Sequence, residues 1–333
     1  MTASAEATLP RLEQPATASR AEAARPRIAV LIPCYNEEAT IAQVTAGFRA
    51  ALPAATIFVY DNNSGDKTAQ RASEAGAVVR QERLQGKGHV VRRMFADIEA
   101  DIYVMVDGDA TYEAAAAPRL IEQLMREGLD MVVGSRVEQH QAAYRPGHRF
   151  GNRLLTGTVA RLFGQPLEDM LSGYRVFSRR FVKTFPALAG GFEIETELTV
   201  HALELNMAVA EVATAYGARP EGSVSKLSTY RDGLRILWMI LRLFKNERPL
   251  GFFSILFSLL AALSLLLAAP VLATWLETGL VPRFPTAILS TGLMLLAFQS
   301  LACGFILDTV THGRRETKRL AYLACKGAFE SQE

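Results

Sequence analysis

The sequence predicts an α/β protein: a mainly parallel sheet with helices on both faces, followed by two C-terminal helices that cross a membrane. Three observations carry this expectation. Strand-length apolar runs alternate with helical patterns from Arg27 to Glu127, the order that a parallel sheet with crossover helices requires. Polar clusters follow those runs, at the strand ends where such sheets bind ligands. Two long stretches near the C-terminus carry no charged residue.

The elements follow in order. Residues 1–26 are rich in Ala, Thr, Glu and Arg without an apolar core, which predicts a disordered tail and no signal peptide. "RIAVLIP" (Arg27 to Pro33), "TIFVYD" (Thr56 to Asp61), "AVVRQ" (Ala77 to Gln81), "DIYVMVD" (Asp101 to Asp107) and "LDMVVGS" (Leu129 to Ser135) have strand length and strand composition. Between them, Glu37 to Leu52, Lys67 to Ala75, Gly88 to Glu99 and Ala115 to Glu127 repeat apolar residues at helical spacing. Beyond Arg136, a helix is expected from Phe150 to Phe163 and a strand entering a turn from Ser172 to Arg180. Glu195 to Leu205 reads as a helix, Met207 to Arg219 as extended, and Gly222 to Ser228 as a polar loop.

From Tyr230 to Pro249, Leu234, Leu237, Trp238, Leu241 and Phe244 recur at helical spacing opposite Arg231, Arg235, Arg242 and Lys245. A basic amphipathic helix beside a membrane span is expected to lie flat in the headgroup layer; an ordinary surface helix packed on the domain is the plainer reading. No charge occurs from Leu250 to Leu276 or from Phe284 to Leu307, and a bilayer helix needs roughly 20 apolar residues. Arg235, Arg242, Lys245 and Arg248 flank the pair on one side, and Arg314, Arg315, Lys318 and Arg319 on the other. Positive charge on both outer flanks places both termini in the cytoplasm, at the inner membrane. The expected division is a catalytic domain at 27–228, a juxtamembrane helix at 229–248, a two-helix hairpin at 249–310 and a cytoplasmic tail at 311–333.

A net charge of +2 on 333 residues excludes a general nucleic-acid binder, since no basic stripe is implied. Cys34, Cys303 and Cys325 are odd in number and far apart, which argues against disulfides or a zinc site.

The chemistry is concentrated at "VDGDATY" (Val106 to Tyr112), where Asp107 and Asp109 end the fourth strand. Two hard oxygen donors at this spacing suit Mg²⁺ or Mn²⁺, which keep waters and bind substrate phosphates. A solvated Asp-Gly turn is the plainer reading of the same residues.

"LIPCYNEEATI" (Leu31 to Ile41), "DNNSGDKT" (Asp61 to Thr68), "GKGHVVRRMF" (Gly86 to Phe95) and "VDGDATY" occur in order. Together they resemble the nucleotide-sugar half of the inverting family 2 glycosyltransferases, which have the GT-A fold. "VGSR" (Val133 to Arg136), "DMLSGYRVFSR" (Asp169 to Arg179) and "RPEGSVSKL" (Arg219 to Leu227) are similar to the polyprenol-phosphate branch, which includes dolichol-phosphate mannosyltransferases and bacterial enzymes that load undecaprenyl phosphate. The resemblance implies that Pro33, Tyr35 and Glu37 line the donor nucleotide with Asn63, and that Asp61 and Lys87 meet its base and ribose. It implies that Asp107 and Asp109 hold the metal on the diphosphate, with Thr111 where some relatives place a Gln ligand. Arg136, Arg149 and Asn152 would grip the lipid phosphate, with Arg153 close by, while Ser172, Tyr174 and Arg175 shape the acceptor pocket. Arg219, Ser225 and Lys226 would close a lid over the diphosphate. Asp107, Asp109, Arg136 and Arg219 are thereby the expected catalytic set. A UDP-sugar, cell-envelope glycan biosynthesis and a homo-oligomer, a tetramer in relatives, are further implications.

A lipid phosphate monoester has a second pKa near 6, so at neutral pH it is mostly dianionic and needs no general base. A hydroxyl acceptor would need one, for which Glu168 or Asp169 could serve. Processive relatives usually carry Q-x-x-R-W before their spans, and the string is absent here. A catalytically silent nucleotide-sugar-binding module is the third reading, and the intact Asp107 and Asp109 speak against it.

Overall fold

The computed structural model describes residues 26–138, 157, 169–191, 193–217 and 229–325. Strands β1 (Ile28–Cys34), β2 (Thr56–Asp61), β3 (Val78–Gln81) and β4 (Ile102–Met105) alternate with helices α1 (Ile41–Ala51), α2 (Thr68–Glu74) and α3 (Lys87–Asp97). A short 3₁₀ turn (Ala114–Ala116) leads into α4 (Ala117–Arg126), then β5 (Met131–Glu138). After the gap come β6 (Arg175–Ser178), α5 (Arg179–Thr184), α6 (Ile194–Glu204) and β7 (Val209–Tyr216). Helices α7 (Thr229–Glu247), α8 (Pro249–Thr278) and α9 (Phe284–Ala324) complete the described chain.

The strands form one sheet in the order β3-β2-β1-β4-β6-β5-β7. All neighbours are parallel except β6, which enters between β4 and β5 antiparallel to both. Side-chain alternation along the strands divides the core between the two faces. Leu31, Tyr103 and Phe177 pack with Met94 and Phe95 of α3, Phe181 of α5 and Leu198 of α6. Their neighbours Ile32, Val104 and Val176 pack on the opposite side with Ile41 and Phe48 of α1 and Leu120 and Leu124 of α4.

Two boundaries differ from expectation near the site. Helix α1 begins at Ile41 instead of Glu37, because Asn36 to Thr40 form a polar turn in which Glu37 O accepts from Thr40 N and Ile41 N. Ser178 ends β6 as a helix N-cap, its Oγ accepting from Phe181 N, so the expected turn is the start of α5.

Helices α8 and α9 are long and apolar enough to cross a membrane, and Leu265, Leu266, Leu295 and Phe298 point outward from them. They hold each other through Ser264 Oγ, which donates to Ser290 O at 2.6 Å, and through Gly304, which lies against Phe253. Within the expected tail, residues 311–324 continue α9 as a helix that docks on the domain. Its cations supply the reason. Lys318 Nζ reaches Glu204 Oε2 of α6 at 2.6 Å, Arg314 and Arg315 pair with Glu247 of α7, and Tyr322 donates to Asp130. Exposed Trp238 and Leu241 give α7 an outward apolar face. The expected tail at 1–26 lies outside the described residues except Pro26, as do the 150–163 helix except Gly157 and the 222–228 loop.

Candidate active site

The loops after β1 and β2 are laced together. Asn36 adopts a left-handed φ of 52°, which Asn tolerates better than most residues. Its N–H donates to Ser64 Oγ, its Oδ1 accepts from Gly65 N, and Glu37 N donates to Thr68 Oγ1. Asp61 closes β2 with its side chain buried. One of its oxygens accepts from Ser64 N at 3.3 Å, while Oδ1 is buried with no hydrogen-bond partner among the described residues. A buried acceptor left unpaired is costly, and a ligand hydroxyl or N–H would satisfy it. Asn63, also left-handed, donates to Arg83 O. Asn62 accepts from Gly86 N and so ties this loop to the start of α3. Pro33 is the penultimate residue of β1, and Tyr35, just past its end, is exposed.

Helix α3 opens on Lys87, whose ammonium lies 2.5 Å from both Asp107 Oδ1 and Glu195 Oε1. Burial by itself would lower the Lys87 pKa, but the two carboxylates overcome it and hold the amine well above its usual range. The side chain, expected at base and ribose, is drawn here to the acidic end of β4. Glu195, in the first turn of α6, is buried. The sequence reads Glu195 as a helix start; in the fold its partner is Lys87. Asp107 lies over Gly173, where a Cβ would stand 2.3 Å from its Oδ2. That contact is why "SGYR" needs its glycine.

Asp109 is buried, and its Oδ1 accepts from both the N–H and the hydroxyl of Thr111, the latter at 2.6 Å. Thr111 therefore orients Asp109, a metal-ligand candidate. The residues fit a hard divalent cation: the donors are carboxylate oxygens, and Asp107 already holds a positive charge. Among the described residues no group of three or more His, Cys, Asp or Glu side chains converges on a metal position. Remaining coordination would fall to phosphate oxygens and water.

On the other side of the strand ends, Arg136 of β5 grips Asp169 with two parallel bonds, Nε to Oδ2 at 2.6 Å and Nη2 to Oδ1 at 2.7 Å. Its guanidinium lies 5.5 Å from the ring centre of Tyr216, which packs on Tyr112. Burial pushes the Asp169 carboxyl up, yet the Arg136 hydrogen bonds and charge hold it below the usual range. Asp169, a candidate base in the hydroxyl-acceptor reading, is thus engaged by Arg136 in an ion pair. Ser172, Tyr174 and Arg175 are fully buried and support the site from beneath. Ser172 donates to Gly134 O, Tyr174 packs edge-on against Phe48, and Arg175 holds Ser172 O, Thr199 Oγ1 and Met170 O. Burial lowers the Arg175 pKa to about 10 against the pull of Glu195 and Asp169. Arg149, Asn152, Arg153, Glu168, Arg219, Ser225 and Lys226 lie outside the described residues.

Tyr112 is the residue that sequence reasoning missed. Its hydroxyl accepts from Gly173 N at 2.9 Å, and its ring links Tyr174 to Tyr216. Its place three residues after Asp109 was the only signal.

Residues 29–185 match the profile of Glycosyl transferase family 2. Glycosyltransferase AglJ of Haloferax volcanii is 35% identical over 295 residues, covering 87% of this chain and 95% of that one. The dolichol-phosphate mannosyltransferase of Pyrococcus furiosus is 26% identical over 228 residues, 65% of this chain and 64% of that one. Among solved structures, glucosyl-3-phosphoglycerate synthase of Mycobacterium tuberculosis in complex with Mg²⁺ and UDP superposes with a TM-score of 0.54 at 25% identity, over 65% of this chain and 79% of that one. A mixed sheet of this order, an acidic pair at the end of β4 and a relative matched over nearly its whole length agree: the chain is a GT-A glycosyltransferase and belongs to glycosyl transferase family 2.

Proposed function

We propose that this glycosyltransferase moves one sugar from a UDP-sugar to a polyprenyl phosphate in the membrane, inverting the anomeric centre, with Mg²⁺ or Mn²⁺ held by Asp107 and Asp109. The observation that carries the reading is the Arg136–Asp169 pair. It commits the described candidate base to an ion pair and leaves a guanidinium suited to an anionic acceptor. An acceptor that is already a dianion suits that arrangement, because what it needs is cationic positioning and not deprotonation. Helices α7, α8 and α9 support a membrane-borne acceptor, since α9 runs from an apolar span directly onto the catalytic domain.

On the donor side, Asp61 offers its unpaired oxygen to the nucleoside, with Pro33, Tyr35, Glu37 and Asn63 around it. The divalent ion, when bound, neutralises charge on the departing diphosphate. Related structures carry Mg²⁺ with UDP, or Mn²⁺ with UDP-glucose and phosphoglyceric acid. Arg149, Asn152 and Arg153 would complete the phosphate grip, and Arg219, Ser225 and Lys226 the lid. The same reading places the protein in the inner membrane as a homo-oligomer, with the catalytic domain and both termini cytoplasmic.

The test is transfer by full-length protein in detergent from radiolabelled UDP-sugars. Undecaprenyl phosphate, undecaprenol and 3-phosphoglycerate are offered in parallel. Labelled lipid is expected from the phosphate alone, and only with Mg²⁺ or Mn²⁺ present. Transfer to undecaprenol or to 3-phosphoglycerate in its place would refute the acceptor assignment.

A further inference from the structure

Lys87 bridges two carboxylates that differ in one respect. The Asp107 side chain retains 29% of its exposure, whereas Glu195 retains 7% and Lys87 itself 9%. One end of the bridge faces the cleft and the other is sealed. Glu195 is fixed where it stands: it lies in the first turn of α6, its carbonyl accepts from Thr199 Oγ1, and Thr199 in turn accepts from buried Arg175.

We propose that Lys87 is an internal counter-ion that Asp107 exchanges for the divalent cation, and that Glu195 retains the displaced ammonium and turns it toward the donor diphosphate. The proposal rests on Asp107 being a metal ligand, as read above. A lysine ammonium and a divalent cation repel when both sit on one carboxylate, so metal binding at Asp107 favours release of Lys87. Lysine suits the exchange because its charge is compact and its stem pivots. Glu195 makes the pivot short. With Asp107 committed elsewhere, the ammonium keeps one buried partner and gains a phosphate oxygen as the second. Glu195 thus acts through Lys87 as a positioning residue. The exchange couples the two ligands: metal alone must displace an ion pair, whereas metal with nucleotide finds a new partner for the released charge. Each therefore tightens the other by the same factor.

The experiment is Mn²⁺ titration of the full-length protein in detergent, followed by electron paramagnetic resonance, with and without saturating UDP. In the unaltered protein UDP is expected to tighten Mn²⁺ by about tenfold or more. Lys87→Met should bind Mn²⁺ alone about tenfold tighter and lose most of the UDP enhancement. Glu195→Gln should bind Mn²⁺ alone more weakly, because the ammonium then has only Asp107. It also tests the exchange if Lys87→Met fails to fold. Through-space charge would change Mn²⁺ affinity in Lys87→Met but leave the UDP enhancement intact, and that result overturns the proposal. So does unchanged Mn²⁺ affinity in a folded Lys87→Met while Asp107→Asn abolishes binding. Equal Mn²⁺ binding by Asp107→Asn and the unaltered protein would overturn the metal assignment beneath it.

Discussion

Gly173→Ala is the most direct probe of the acidic end of β4. The added Cβ would stand 2.3 Å from Asp107 Oδ2 and 2.8 Å from its Cγ. Ordinary contact begins near 3.4 Å, so the carboxylate must retreat by about 1 Å, a misplacement that costs on the order of 100-fold in rate where geometry governs catalysis. The main chain at Gly173 has no positive φ, so the substitution adds no backbone strain and its effect travels through Asp107. The assay is kcat for sugar transfer alongside Mn²⁺ affinity and Tm. Gly292→Ala in α9, where an added Cβ meets nothing within 4 Å, is the control. We expect both kcat and Mn²⁺ affinity to fall in Gly173→Ala with Tm nearly unchanged. Activity within a fewfold of the unaltered protein would show that Asp107 has room to move, and would refute the claim that Gly173 sets its position.

Two further outcomes follow from charge. Asp169 is held below the usual carboxylate range by Arg136, so it contributes stability that is present above its unfolded pKa near 3.9 and is lost as pH falls through the lower folded value. Asp169→Asn should lose that acid-sensitive component of Tm and raise KM for the acceptor more than for the donor; equal effects on both would detach Arg136 from the acceptor. His201 is packed between Phe181 and Phe185, and burial with the nearby Lys318 lowers its pKa to about 3. The unfolded chain then binds the extra proton between pH 6.5 and 3, which removes about 2 kcal/mol of stability by pH 5. His201→Phe should flatten the fall in Tm over that interval, and an unaltered slope would assign the acid sensitivity elsewhere.

The relation between sequence and structure divides by the range of the interactions. β1, β2 and α3 were legible because each buries its own apolar residues at its own period, and Asp107 and Asp109 were legible because they follow the apolar run of β4. The insertion of β6 between β4 and β5 was not legible, since pairing partners are chosen by the sheet and not by the strand. Arg314, Arg315 and Lys318 carried the right charge for a membrane flank, yet their carboxylate partners lie on α6 and α7.

By itself, then, the sequence determined the alternating elements, the apolar pair of helices and the residue types of the acidic site, all of which are local in the chain. Only tertiary structure decided that Lys87 stands between Asp107 and Glu195, that Asp169 serves Arg136, and that Gly173 makes room for a carboxylate. Those facts join residues far apart in sequence, and a side chain's protonation and direction are set by the charges that folding brings within a few ångströms of it.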